Sequence, residues 1–139
     1  MEDYQTELNL RIDWSELDLF GHVNNVAFFK YIQAARVKYW DKTGINELHR
    51  HQNLGPILAS TTCQFKKPLF FPGNITISTR VKNIGNTSFV LQHLIINDNN
   101  EIAAEAEDVI VMYDFNKNEK AGIPGSIKNN IEIIEKKAF

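Results

Sequence analysis

The chain has 139 residues, which at ordinary domain sizes makes it one domain spanning 1–139. Its 43% hydrophobic and 23% charged content excludes a disordered or fibrous chain, and a net charge of −2 argues against nucleic acid as a partner. One cysteine, Cys63, excludes a disulfide framework and a Cys-based zinc site and fits a reducing cytoplasm. No apolar run reaches the ~20 residues of a membrane span, and the acidic start Met1-Glu2-Asp3-Tyr4 shows no signal-peptide pattern.

Thr6, Leu8, Leu10, Ile12 and Trp14 alternate with Glu7, Asn9, Arg11 and Asp13, which predicts a half-buried strand. After a polar break the period becomes helical. Phe28, Ile32, Ala35 and Tyr39 fall on one stripe, with Asn24 or Asn25 as N-cap and Gly44 as stop, so the helix is expected over about 25–43. Apolar residues cover well over half its circumference, so we expect something curved around it. Residues 46–55 read as a polar connection.

Alternation returns after Pro56 with Ile57, Ala59, Thr61, Cys63 and Phe65, and Pro68, Pro72 and Gly73 mark a turn. Further strands are expected at Ile75–Val81, at Phe89–Ile95 and over about 101–114, joined by turns at Gly85-Asn86 and Asp98-Asn99-Asn100. In the last strand Ile102, Ala104 and Ala106 give way to Val109, Val111 and Tyr113, which predicts a bulge or face change near Glu107-Asp108. Ile127, Ile131 and Ile134 predict a short final helix. One strand, a long helix and four hairpin-linked strands make an α+β domain whose antiparallel sheet must bury the helix stripe.

The chemistry concentrates in Trp14–Asn25. Asp18 precedes the helix start by a few residues, and Gly21 permits a tight turn. The first helical N–H groups, around Asn24, Asn25 and Val26, have no intrahelical acceptor and carry partial positive charge. A carboxylate facing such donors across a gap suits acyl transfer: the donors polarise a carbonyl while the carboxylate attacks it or activates water.

The segment Asp18, Gly21-His22-Val23-Asn24-Asn25 and the aromatic-rich helix ending in Ala35-Arg36 resembles the signature of hotdog-fold acyl-CoA thioesterases of the 4-hydroxybenzoyl-CoA thioesterase group. Phe65-Lys66-Lys67-Pro68, Pro72-Gly73-Asn74, Ile84–Phe89 and Ile123-Pro124 follow in the same order, so the likeness covers about the whole chain. It implies a hotdog fold, a curved antiparallel sheet of five or six strands around one long helix, and hydrolysis of an acyl-CoA thioester.

By this resemblance the candidate catalytic set is Asp18, as nucleophile or general base, with Gly21, His22 and the Asn25 N–H. The candidate substrate-binding set is Asn24, Thr87 and Ser88, with Lys66, Arg80 and Lys82 for the phosphates of coenzyme A. Two alternatives stay open: a thioesterase acting on acyl-carrier-protein substrates, and a non-catalytic acyl-CoA-binding protein. The sequence departs from the family at Glu16, where an aspartate is common, and at Gln33, where an acid is common.

Competing structural roles are clear for several residues. His22 also suits a turn residue that fixes the loop, Asn24 an N-cap, Glu16 a surface charge, and Arg36 an ion pair or subunit contact. Arg80, Lys82, Lys66 and Lys67 also suit a solvated sheet face. His93 reads as a satisfied core or interface histidine and Cys63 as core packing. His49 and His51 lack a companion ligand, so neither metal nor separate cofactor is expected, coenzyme A being part of the substrate. A domain this small buries only about two thirds of its unfolded surface. Members of the family it resembles pair edge to edge into dimers, often tetramers, with each site at the dimer boundary, so the resemblance implies a homodimer or homotetramer here.

Overall fold

The computed structural model describes residues 3–139; Met1 and Glu2, within the acidic start, lie outside the described residues. In chain order the elements are β1 (Thr6–Arg11), a 3-10 turn (Trp14–Glu16), α1 (Asn25–Thr43), α2 (Ile45–Gln52), β2 (Leu54–Phe65), β3 (Asn74–Ile84), β4 (Ser88–Ile96), β5 (Ile102–Asp114), β6 (Glu119–Lys120) and α3 (Gly125–Glu135). The strands form one antiparallel sheet in the order β1-β3-β4-β5-β2, with the short β6 on β5. The sheet curls around α1, and β1 and β2 are its edges.

The long helix starts and stops where local chemistry directs. The Asn24 side chain accepts the Ala27 N–H at 2.8 Å, and Gly44 leaves the helix at φ +85°, a conformation glycine adopts without strain. Phe28, Ile32, Ala35 and Tyr39 are all buried against the sheet. Complete burial of one such Ile or Phe stabilises the fold by about 1.5–3 kcal/mol, so this stripe holds the helix in place. Val26 and Val37 face out, so the chain leaves part of the helix's apolar circumference uncovered. At the C-terminus Ile127 and Ile131 of α3 are buried, as their spacing predicts.

Four local expectations need correction. Trp14 does not share the β1 face: Asp13 caps the 3-10 turn, its carboxylate accepting the Ser15 N–H at 3.0 Å while Glu16 accepts the Asp13 N–H at 2.8 Å, and Trp14 is left exposed. Residues 46–55 are not a plain connection, because Ile45 and Leu48 bury one face of α2 while Glu47 and Arg50 pair at 2.6 Å on the other.

The remaining two concern β5 and β2. At Glu107-Asp108 β5 does not change face: Ala104, Ala106, Asp108, Ile110 and Met112 all point inward, with buried Asp108 at the step where apolar character lapses, and the register with β4 shifts only earlier, at Ala103. The bulge lies on β2 instead, at Ala59, where Leu58 pairs with Ile110 and Ser60 with Val109. Leu58, rather than Ile57 or Ala59, therefore shares the face of Thr61, Cys63 and Phe65.

Asp108 belongs to a buried polar belt across the inner sheet face. It accepts from Arg36 Nε of α1 at 3.0 Å, from Thr61 Oγ1 of β2 at 2.8 Å and from His93 Nε2 of β4 at 2.8 Å. A carboxylate only accepts, so Nε2 carries the proton, and Nδ1 pairs with the Thr79 hydroxyl at 2.8 Å. Arg36 and His93 thus take the structural roles available to them. Burial pushes the Asp108 carboxyl up, but its bonds to His93, Arg36 and Thr61 outweigh that and hold it below the ordinary carboxylate value. The belt separates two apolar clusters, one around Phe28, Ile32, Ile77 and Ile95, the other around Tyr39, Phe89, Leu91 and Ile110.

Candidate active site

The loop from Leu17 to Val23 closes on itself. Leu17 and Val23 form an isolated antiparallel bridge, the Asp18 N–H donates to the His22 carbonyl at 2.7 Å, and the Gly21 N–H donates to the Asp18 carbonyl at 3.1 Å. The Asp18 carboxylate completes the turn, its Oδ1 accepting the N–H groups of Phe20 at 2.9 Å and His22 at 3.1 Å. Its Oδ2 has no partner among the described residues. The turn therefore orients the carboxylate through one oxygen and leaves the other unbonded within the described residues.

Gly21 has φ +83°, and a Cβ there would meet nothing within 4 Å. The cost of a side chain is conformational only. Gly21→Ala is expected to lower stability by about 1–2 kcal/mol, read from urea unfolding; an unchanged midpoint would contradict a conformational requirement at this turn.

A second set of bonds ties the loop to α1. The Glu16 carbonyl accepts both the Asn24 N–H and Asn24 Nδ2, each at 2.8 Å. The Glu16 side chain accepts from Tyr31 at 2.8 Å and from Lys30 at 3.2 Å. Glu16 is only 8% exposed, which corrects its reading as a surface charge. Burial pushes its carboxyl up, but the Asp13 N–H, Tyr31 and Lys30 outweigh it and the pKa falls below the ordinary value. The capping pattern Asp13-x-x-Glu16 was the available sequence signal for this residue.

Asp18, His22, Asn25, Phe28, Phe65 and Lys66 line one cavity of about 320 Å³. Asn24 caps the helix beside it. Since the cap satisfies the N–H of Ala27, the N–H of Asn25 is left among the free donors of the first turn. His22 is exposed and packs edge-on against Phe70 at 5.1 Å. Lys66 Nζ lies 3.7 Å from Glu105. Phe65 meets Phe28 edge-on at 5.0 Å and forms an aromatic wall.

The structure does not bring every candidate here. Arg80 and Lys82 lie on the outer sheet face, where Arg80 bonds Gln92 at 2.9 Å and Lys82 pairs with Glu107 at 3.2 Å. Thr87 and Ser88 lie at the β3–β4 turn; Ser88 pairs with Val111, which pairs with Ile57, at the end of β2 away from Phe65. His49 packs edge-on on Phe115, and His51 faces Glu47. Cys63 is partly buried on β2, and burial pushes its thiol up to about 11. Among the described residues, no helix is long and apolar enough to cross a membrane.

A curled antiparallel sheet wrapped around one long helix is the hotdog fold. Residues 12–131 match the sequence profile of the Thioesterase-like superfamily, and the chain belongs to that family. The structure superposes on a thioesterase from Thermus thermophilus, solved with coenzyme A and zinc, with a TM-score of 0.88 over 100% of both chains at 24% identity. Among curated sequences, it is 31% identical to the chloroplastic acyl-acyl carrier protein thioesterase ATL3 of Arabidopsis thaliana, over 88% of this chain and 65% of that one. It is 19% identical to the long-chain acyl-CoA thioesterase FadM of Escherichia coli, over 95% of this chain and 99% of that one. The chain spans 55%, 65% and 66% of the length of three of the curated relatives it matches.

Proposed function

We propose that this protein hydrolyses an acyl-CoA thioester to a free carboxylic acid and coenzyme A. The observation that carries the reading is that Asp18 and the helix-start residue Asn25 line one cavity. The thioester carbonyl oxygen accepts the Asn25 N–H and lies at the positive end of α1, which stabilises the oxyanion as it forms. Asp18 then acts in one of two ways. It attacks the carbonyl carbon, the C–S bond breaks to release the thiolate, and water hydrolyses the mixed anhydride. Alternatively it takes a proton from a water that attacks, and the thiolate leaves with that proton.

Both routes draw nucleophile and electrophilic assistance from the chain itself, so the reaction as proposed needs no separate metal or cofactor. Lys66, at the cavity, is the cation proposed for a phosphate of coenzyme A. The single thiol fits work in a reducing cytoplasm. The likeness to FadM and to a structure holding coenzyme A supports the CoA ester, while the likeness to ATL3 keeps an acyl-carrier-protein substrate as the second reading. Release of free thiol from a series of acyl-CoA lengths tests the activity. Binding of acyl-CoA without thiol release would establish the non-catalytic alternative instead.

We place the complete site at a boundary between two copies. β2 is an edge strand with Ile57, Leu58 and Phe65 exposed by 36%, 41% and 49%. An unpaired apolar edge invites another strand. Two-fold antiparallel pairing of β2 with a second copy sets the Phe65 end of one protomer toward the Leu54 end of the other. The Thr87–Ser88 turn, remote from Asp18 within one protomer, then approaches the cavity of the neighbour. Sedimentation at assay concentration is expected to show a dimer or tetramer; a fully active monomer would overturn this assembly.

A further inference from the structure

Two tyrosines of α1, Tyr31 and Tyr39, are buried eight residues apart, about 12 Å along the helix. Each donates its hydroxyl to a buried glutamate: Tyr31 to Glu16 and Tyr39 to Glu135. The bonds resemble each other but the glutamates serve different structures. Glu135 lies on α3 and also accepts the Val81 N–H at 3.1 Å, so it docks α3 on β3 beyond the end of β1. Glu16 lies two residues before Asp18, and its carbonyl holds Asn24, the residue before Asn25.

We propose that Tyr31 and Glu16 are a positioning pair for the catalytic centre, setting the carboxylate of Asp18 against the first N–H groups of α1. The proposal rests on the hydrolytic reading above. The path is continuous. Tyr31 and the Asp13 N–H both bond Glu16 Oε1, Lys30 bonds Oε2, and the Glu16 carbonyl takes two bonds from Asn24. The Asn24 side chain then caps Ala27. Asp18 leaves one end of this junction and Asn25 the other. Loosening it changes their separation, and a misplacement near 1 Å costs on the order of a hundredfold in rate. Neither Tyr31 nor Glu16 lines the cavity, so neither is assigned contact with substrate.

Tyr31→Phe and Tyr39→Phe form a matched test, because each removes one hydroxyl from the same helix and keeps the ring. Both are expected to lower Tm by a few degrees. Only Tyr31→Phe is expected to lower kcat, by about tenfold, with KM held within about twofold. Glu16→Gln retains an acceptor for Asp13 and Tyr31 and should keep most of kcat, while Glu16→Ala should fall at least as far as Tyr31→Phe. Equal kcat in the two tyrosine variants, or a loss confined to KM, would overturn the proposal.

A second readout is independent of turnover. The backbone amide resonances of His22 and Asn25 should move in Tyr31→Phe and stay in place in Tyr39→Phe; resonances unmoved in both would also overturn it. Absence of hydrolysis by the unaltered protein would sink the hydrolytic reading alone, and the amide resonances would still decide whether the pair sets the loop.

Discussion

Asp18→Asn is expected to lower kcat for thioester hydrolysis by about 10²–10⁴ while leaving Tm nearly unchanged. The two effects separate because of how the turn is bonded. Asp18 Oδ1 accepts the N–H groups of Phe20 and His22, and an asparagine carbonyl oxygen can accept both. The fold of the loop survives, but the side chain can neither attack a carbonyl carbon nor take a proton from water. Asp18→Ala removes the same chemistry and the two turn bonds as well, so it should lose activity and some stability together. The comparison needs thiol-release rates and thermal unfolding on the same preparations. Full activity in Asp18→Asn would sink both proposed routes, whatever the substrate.

The largest loss of stability is expected at Asp108. Asp108→Ala leaves Arg36, with 13% of its side chain exposed, without its carboxylate and strands the buried His93 and the half-buried Thr61. Removing one partner of a buried ion pair typically costs about 3–5 kcal/mol, a large part of the roughly 5–15 kcal/mol that holds a domain folded. Urea unfolding near neutral pH measures this directly, and a loss below about 1 kcal/mol would refute it.

The same residue gives an acid limb. Its folded pKa lies below the unfolded value, so its contribution is complete above the ordinary carboxylate pKa of 3.8 and vanishes as pH falls through the lower folded value. Asp108→Asn keeps hydrogen bonding but cannot titrate. Below about pH 4 it should lose stability less steeply than the unaltered chain.

Much of the site was legible because its signals are local. Asn24 and Gly44 bound α1 through cap and turn chemistry that acts over three or four residues, and Gly21 answers a turn that needs positive φ. The Asp18-to-Asn25 spacing likewise places a carboxylate and a helix N-terminus within one short loop. Glu16 was harder to place. Its acidity reads as surface charge until Tyr31, Lys30 and the Asp13 N–H surround it, and only the capping spacing with Asp13 hints at a fixed position. The apparent face change in β5 had a related cause. Asp108 breaks the apolar alternation, and its burial makes sense only once Arg36 and His93 stand beside it.

The alternating strands, the limits and buried stripe of α1, and the short loop that sets Asp18 close to the start of α1 all follow from the residues read in order. They depend on periodicity, caps and turns, whose energies act between neighbours along the chain. Other features exist only in three dimensions: Arg36 reaches Asp108 across 72 positions, Arg80 and Lys82 bond Gln92 and Glu107 on the outer face, and Thr87 and Ser88 lie far from Asp18 within the chain. Strand order and register create those proximities. The bulge at Ala59 shows how much rests on register, since one added residue changes which side of β2 faces inward.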